Sequence, residues 1–275
     1  GPLRDRDAVL ALAEHWLQAA CPKWLMGWRD ICRATDERTV IASVVPLAGV
    51  GHTMPLFFTS QTAAHNAALL GNLGALVLDF CARVKVGGTH LTYGYLKQFP
   101  VLPPNHYTEA DLSFIVPRVL ELTYTAHDLA GWAKDLGYNG PPFAFNPERR
   151  AALRAELDTY YARLYGLTHD EQRYILDPAA VMGEDYSSET FRVLKNKELR
   201  EFGAYRTQTL VLAALKALEA QTPLTIPAPQ PTRRTAPFPI YAQGSTPASE
   251  AEDWLAGLVC DVLAQAGPCD DNRLR

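Results

Sequence analysis

The run Phe99-Pro100-Val101-Leu102-Pro103-Pro104 divides this chain into two kinds of hydrophobic pattern. Before it lie the two short runs that suit a pleated sheet, residues 39–45, rich in β-branched side chains, and residues 56–59. After it the apolar spacing is helical. The pattern predicts an α+β protein: a small mixed α/β lobe over residues 22–104, then a mostly helical lobe over residues 105–221.

Helices are also expected before the divide. Residues 8–20 carry one apolar stripe (Val9, Leu12, Ala13, Trp16, Leu17) behind Asp7. Residues 62–84 have helical spacing of large apolar side chains, weakened at Gly71 and Gly74, glycines that also suit close packing. Beyond the divide, residues 108–136 read as helical with an interruption at Pro117. Asn146-Pro147-Glu148 supplies a cap, a first-turn proline and an acid for a helix ending at Tyr165 and closed by Gly166. Thr168 and Glu171 form a capping box. Residues 188–200 and 205–220 continue the series. Seven prolines between residues 222 and 247 predict a linker or extended arm, and residues 249–275 a final amphipathic helix and tail.

Several chemistries are missing from the sequence. It has no GxGxxG, no GxxxxGK[ST], no HExxH and no GxSxG, and its seven histidines show no metal-ligand spacing. Asn139-Gly140-Pro141-Pro142-Phe143 reads as a turn into the Asn146 cap, because Gly140 splits the asparagine from the prolines. Five cysteines without a CxxC pair fit a reducing cytoplasm. No apolar run is long enough to span a bilayer, and the first residues lack the basic and apolar regions of a signal peptide.

Charge is uneven along the chain. The net value is −4, yet residues 22–100 hold seven Lys/Arg against four Asp/Glu. Two segments in this basic region stand out. One is Lys85 to Pro104, where Lys85 and Lys97 flank Gly87, Gly88, Thr89, His90 and Tyr93. Cations can meet phosphates, the small polar side chains can hydrogen-bond base edges, and glycines allow close backbone approach. A glycine turn joining two ordinary elements is the bland reading of the same residues. The other segment is Trp28 to Pro46, with Arg29, Arg33, Thr35 and Arg38 beside Asp30, Asp36 and Glu37. Arginine suits bidentate contact to phosphate or guanine, and internal pairing with those acids competes with that use.

These two segments, followed in order by Pro142 to Arg150, Arg154 to Asp158, Leu164 to Thr168, Tyr174 to Asp177 and Tyr205 to Thr207, resemble the target-recognition region of large adenine-specific DNA methyltransferases. Type IIG restriction-modification enzymes and phage-defence methylases carry such a region after their catalytic domain. The resemblance spans residues 22–220 and departs from the family at Asp177-Pro178, where Asp-x-Phe is usual. It implies double-stranded DNA as partner, with contacts from Arg33, Thr35, Arg38, Lys85, Gly87, Gly88, Thr89, His90, Tyr93 and Lys97. It also implies an upstream methyltransferase domain, joined through residues 1–21, that binds S-adenosylmethionine and flips an adenine for methylation. No cofactor, catalytic residue or metal is expected in this chain itself. The rival reading is a helical module that docks other defence-system proteins, suggested by the acidic second lobe and the proline-rich arm. A free-standing enzyme is disfavoured by the lack of any nucleophile–base–oxyanion set.

Overall fold

The computed structural model describes residues 6–20, 22–186 and 190–220, with side chains of the first stretch described to residue 15. The proline-rich arm and C-terminal helix expected from residue 222 onward lie outside the described residues. Among the described residues, 6–20 and 22 belong to one compact unit and those from 23 to 220 to a second. In the first, α1 (Arg6–Ala20) has Asp7 in its first turn, where a carboxylate complements the helix dipole. Val9 and Ala13 of its apolar stripe are buried, whereas Leu12 is exposed.

The second unit is α+β. Its three strands, β1 (Trp24–Trp28), β2 (Ala42–Pro46) and β3 (Leu56–Phe57), form an antiparallel sheet in the order β2-β1-β3. Met26 is opposite Val44 on one side and Phe57 on the other. The strand expected at 39–45 is therefore shifted by a few residues. Thr39 and Val40 are held off the sheet because their N–H groups donate to the Asp79 carboxylate. The strand expected at 56–59 stops at Phe57. The central strand β1 is new. All five of its residues are buried, so Trp-Leu-Met-Gly-Trp shows no alternation to read. Gly27 fits the centre of this sheet because a Cβ there would overlap the Pro55 carbonyl.

The expected helix at 62–84 is two, α2 (Ala63–Gly74) and α3 (Leu76–Lys85), bent by 60° at Ala75. Ala75 has no side chain that can cap α3. Asp158, 82 positions further on, supplies the missing acceptor, taking the Leu76 N–H at 2.7 Å. No single helix among the described residues is long and apolar enough to cross a membrane. After α4 (Tyr93–Leu96), α5 (Glu109–Thr123) runs through Pro117 without a break. A 3-10 turn and α6 (Ala130–Asp135) follow. α7 (Pro147–Leu164) begins at an Asn146 cap, and Gly166 beyond its end has φ +72°. The Thr168 capping box starts α8 (His169–Leu176). α9 (Ala179–Met182), α10 (Arg192–Phe202) and α11 (Arg206–Glu219) complete the unit.

One large core joins both halves of this unit. It contains Trp24, Met26 and Val44 of the sheet, Ala67, Ala68 and Leu70 of α2, and Ile115, Val119, Leu157 and Tyr161 of α5 and α7. The proline divide is itself packed. The Asn72 side chain accepts from the Leu102 N–H at 3.0 Å, and Tyr165 OH donates to the Pro100 carbonyl at 2.7 Å. A second, smaller core gathers Trp28, Cys32, Val40, Leu73, Leu78 and Ala82 around Val86, Leu91 and Phe99.

Candidate nucleic-acid interface

That smaller core seats the Lys85–Pro104 run. Val86, Leu91 and Phe99 are its buried pegs. Backbone bonds fix what lies between them. The Cys32 N–H donates to the Thr89 carbonyl at 2.9 Å and the Leu91 N–H to the Asp30 carbonyl at 2.7 Å, so Ile31 and His90 pair as an antiparallel bridge. The Trp28 indole N–H donates to the Leu91 carbonyl at 2.7 Å. Tyr93 OH donates to the Leu56 carbonyl at 2.8 Å, with its ring edge-on to Trp28. Burial pushes the Cys32 thiol up against the opposing pull of Arg29, which marks it as a packed residue rather than a nucleophile.

Between the pegs the chain faces solvent. Lys85, Gly87, Gly88, Thr89, His90 and Lys97 are all exposed. A Cβ added at Gly87 or Gly88 would meet nothing within 4 Å. Neither glycine has a positive φ. Packing and backbone conformation therefore do not demand glycine at either position, and the main chain there is open to close approach. Lys85 lies in the last turn of α3, where a cation complements the dipole. Among the described residues no ion pair engages Arg33, Lys85 or Lys97.

His90 is held differently. Its Nδ1 lies 2.6 Å from Asp30 Oδ2. A carboxylate only accepts, so Nδ1 carries the proton and Nε2 is left as the second hydrogen-bonding atom of an exposed ring.

The loop bearing Arg33, Thr35 and Arg38 is fastened from below. Arg83, buried in α3, pairs with Asp79 at 3.0 Å and donates to the carbonyls of Ala34 (2.9 Å), Asp36 (2.5 Å) and Thr190 (2.9 Å). Its guanidinium stacks 4.5 Å from the Phe191 ring centre. Asp79 in turn accepts from the Thr39 and Val40 N–H groups at 2.9 and 2.7 Å. Arg33 and Thr35 stand exposed on this platform. Arg38 does not. It turns inward to Asp158, 3.5 Å away, and Nη1 is buried without a partner. The structure thus brings Arg33 next to the Thr89 segment through Cys32, and places Arg38 against α7.

Arg38 borders a cleft of about 710 Å³ between the 36–43 segment and helices α2, α5 and α7. Arg29, Arg150 and Arg154 also line it. Arg150 and Arg154 did not emerge as site residues from sequence. Their signal was present: two arginines four positions apart on one helix, a spacing that places like charges side by side. Among the described residues no group of three or more His, Cys, Asp or Glu side chains could hold a metal ion.

A scan against family models, a search of curated proteins and a search of solved structures each found no match to this chain.

Proposed function

We propose that residues 23–220 are the DNA target-recognition part of an adenine-specific DNA methyltransferase of the restriction-modification or phage-defence type. In this reading an S-adenosylmethionine-binding catalytic domain elsewhere in the parent protein does the chemistry, in the cytoplasm where the DNA is. The single observation that carries the reading is the exposed Gly87–His90 turn, seated on its own small core, with Lys85, Lys97 and Arg33 around it, none of them in an ion pair among the described residues. The lysines and Arg33 would contact phosphates and set register. Thr89 and His90, flanked by open main chain, would face base edges.

The test is binding of the full chain to a short duplex by fluorescence anisotropy across a salt series. Three phosphate contacts predict a log–log salt slope of about −2.7. Lys85→Ala with Lys97→Ala should lower that slope by about two units on any sequence. Duplex binding that does not change with salt, or a double variant that binds like the parent, would refute the reading. Binding of defence-system proteins without DNA would favour the helical docking module instead.

A further inference from the structure

The cleft beside Arg38 has a charge arrangement that the fold leaves unbalanced. Three carboxylates border it, and each is already engaged. Asp36 lies 3.8 Å from Arg29, Glu37 lies 2.9 Å from Lys197, and Asp158 holds both Arg38 and the Leu76 N–H. Arg154 is spaced to pair with Asp158 one turn along α7, but Asp158 is turned away to the start of α3. Arg154 consequently makes no hydrogen bond or ion pair among the described residues. Arg150 donates to the Leu122 carbonyl at 2.9 Å and lies over Phe145, with no carboxylate of its own in the cleft. Arg154 is exposed, with Arg38 and Asp158 acting on it in opposite senses, while Arg38 on the same cleft keeps its Nη1 buried without a partner among the described residues. Arginine stays charged, so these side chains present a fixed cationic wall to the cleft.

One wall of the cleft is apolar, beside the polar side chains of Ser43 and Thr123. Leu70, Val119, Leu122 and Leu157 line it, and Gly74 adds no side chain. Its volume of about 710 Å³ is that of a small-molecule site. We infer that this cleft binds a small phosphate-bearing ligand of the nucleoside monophosphate class, its phosphate held by Arg150 and Arg154 and its flat body lying on the apolar wall. Arginine pairs suit a phosphate because the planar fork donates two parallel hydrogen bonds.

The experiment uses the full chain, adenosine 5′-monophosphate and inorganic phosphate as probes, and isothermal titration calorimetry with thermal unfolding. Adenosine monophosphate should bind saturably and more tightly than inorganic phosphate, which lacks the apolar body. Arg154→Gln should weaken it by about tenfold or more, the loss of a charge-assisted contact. Without ligand, Arg154→Gln should unfold at the parent's temperature or above it, since the change removes a like-charge neighbour. The Lys85→Ala, Lys97→Ala variant should bind adenosine monophosphate like the parent, which separates this site from the proposed DNA surface. No saturable binding by the parent, or equal binding by Arg154→Gln, overturns the inference. So does an Arg154→Gln protein that melts lower without ligand, because Arg154 would then be a structural residue. Loss of single-stranded oligonucleotide binding in Arg154→Gln, with no monophosphate binding by the parent, overturns it too and assigns the cleft to nucleic acid.

Discussion

Removing the Asp79 carboxylate should collapse the platform beneath Arg33 and Thr35. Its Oδ1 accepts two backbone N–H groups, from Thr39 and Val40, and its Oδ2 holds Arg83. Asp79 is 1 % exposed, so water cannot replace these contacts in place. Each orphaned N–H costs about 1–3 kcal/mol, and stripping a buried cation of its partner costs about 3–5 kcal/mol. The same loop movement would relieve both, so the costs overlap, and Asp79→Ala should lose about 3–5 kcal/mol in urea denaturation followed by circular dichroism. That is a large part of the 5–15 kcal/mol of a typical domain. Asp79→Asn can keep the two amide bonds through its oxygen while turning a donor toward Arg83. Combined with Arg83→Met it should show a coupling energy of about 1–3 kcal/mol. Hydrogen exchange should speed up first at the Thr39 and Val40 amides. A loss below about 1 kcal/mol for Asp79→Ala, with those amides still protected, would refute the claim that this carboxylate organises the loop.

Gly71→Ala should destabilise by about 1–3 kcal/mol in the same assay, because the new methyl would lie 2.9 Å from Tyr161 OH and 3.2 Å from Val119 Cγ2; an unchanged midpoint would show that α2 and α7 can separate freely. Asp111 carries a pH signature. Burial pushes its carboxyl up, but bonds from the Thr108 side chain, Tyr160 OH and the Thr108 N–H outweigh burial and hold it below the ordinary 3.8. A lowered folded value gives stability that is present above 3.8 and lost as pH falls through the folded value. Asp111→Asn should therefore be the less stable protein at pH 7, and its deficit should shrink on acidification below that window; a deficit constant with pH would contradict this.

Sequence reading found the helical half because its signals are local. Asn146 accepts from the Arg149 N–H, and Thr168 and Glu171 close their box within one turn, with no help from distant residues. The sheet was harder for the opposite reason. β1 is buried on both faces and carries no period, and the start of the expected 39–45 strand is diverted by Asp79, about forty positions away. The break at Ala75 was invisible too, since its cap comes from Asp158 in α7. The same long-range capture of Asp158 leaves Arg154 without an ion pair among the described residues, where helical spacing alone would have paired it. Polar side chains that serve a distant partner are the recurrent cause of these differences.

The Lys85–Pro104 run shows how structure sorts a motif that chemistry alone treats as uniform. Tyr93 read as a contact residue, but its hydroxyl holds Leu56 and its ring covers Trp28, so replacing it would test the fold before it tested any ligand. Val86, Leu91 and Phe99 hold the run down. Thr89 spends its carbonyl on Cys32 while its side chain stays exposed, and His90 spends Nδ1 on Asp30 while Nε2 stays free. What remains is Gly87 and Gly88, which meet no packing demand, and Lys85 and Lys97, which form no ion pair among the described residues, Lys85 serving only the dipole of α3. Two lysines without an ion pair among the described residues and two glycines that meet no packing demand stand on a packed base, and there, rather than at Arg38 tied to Asp158, substitutions should alter DNA binding without altering stability.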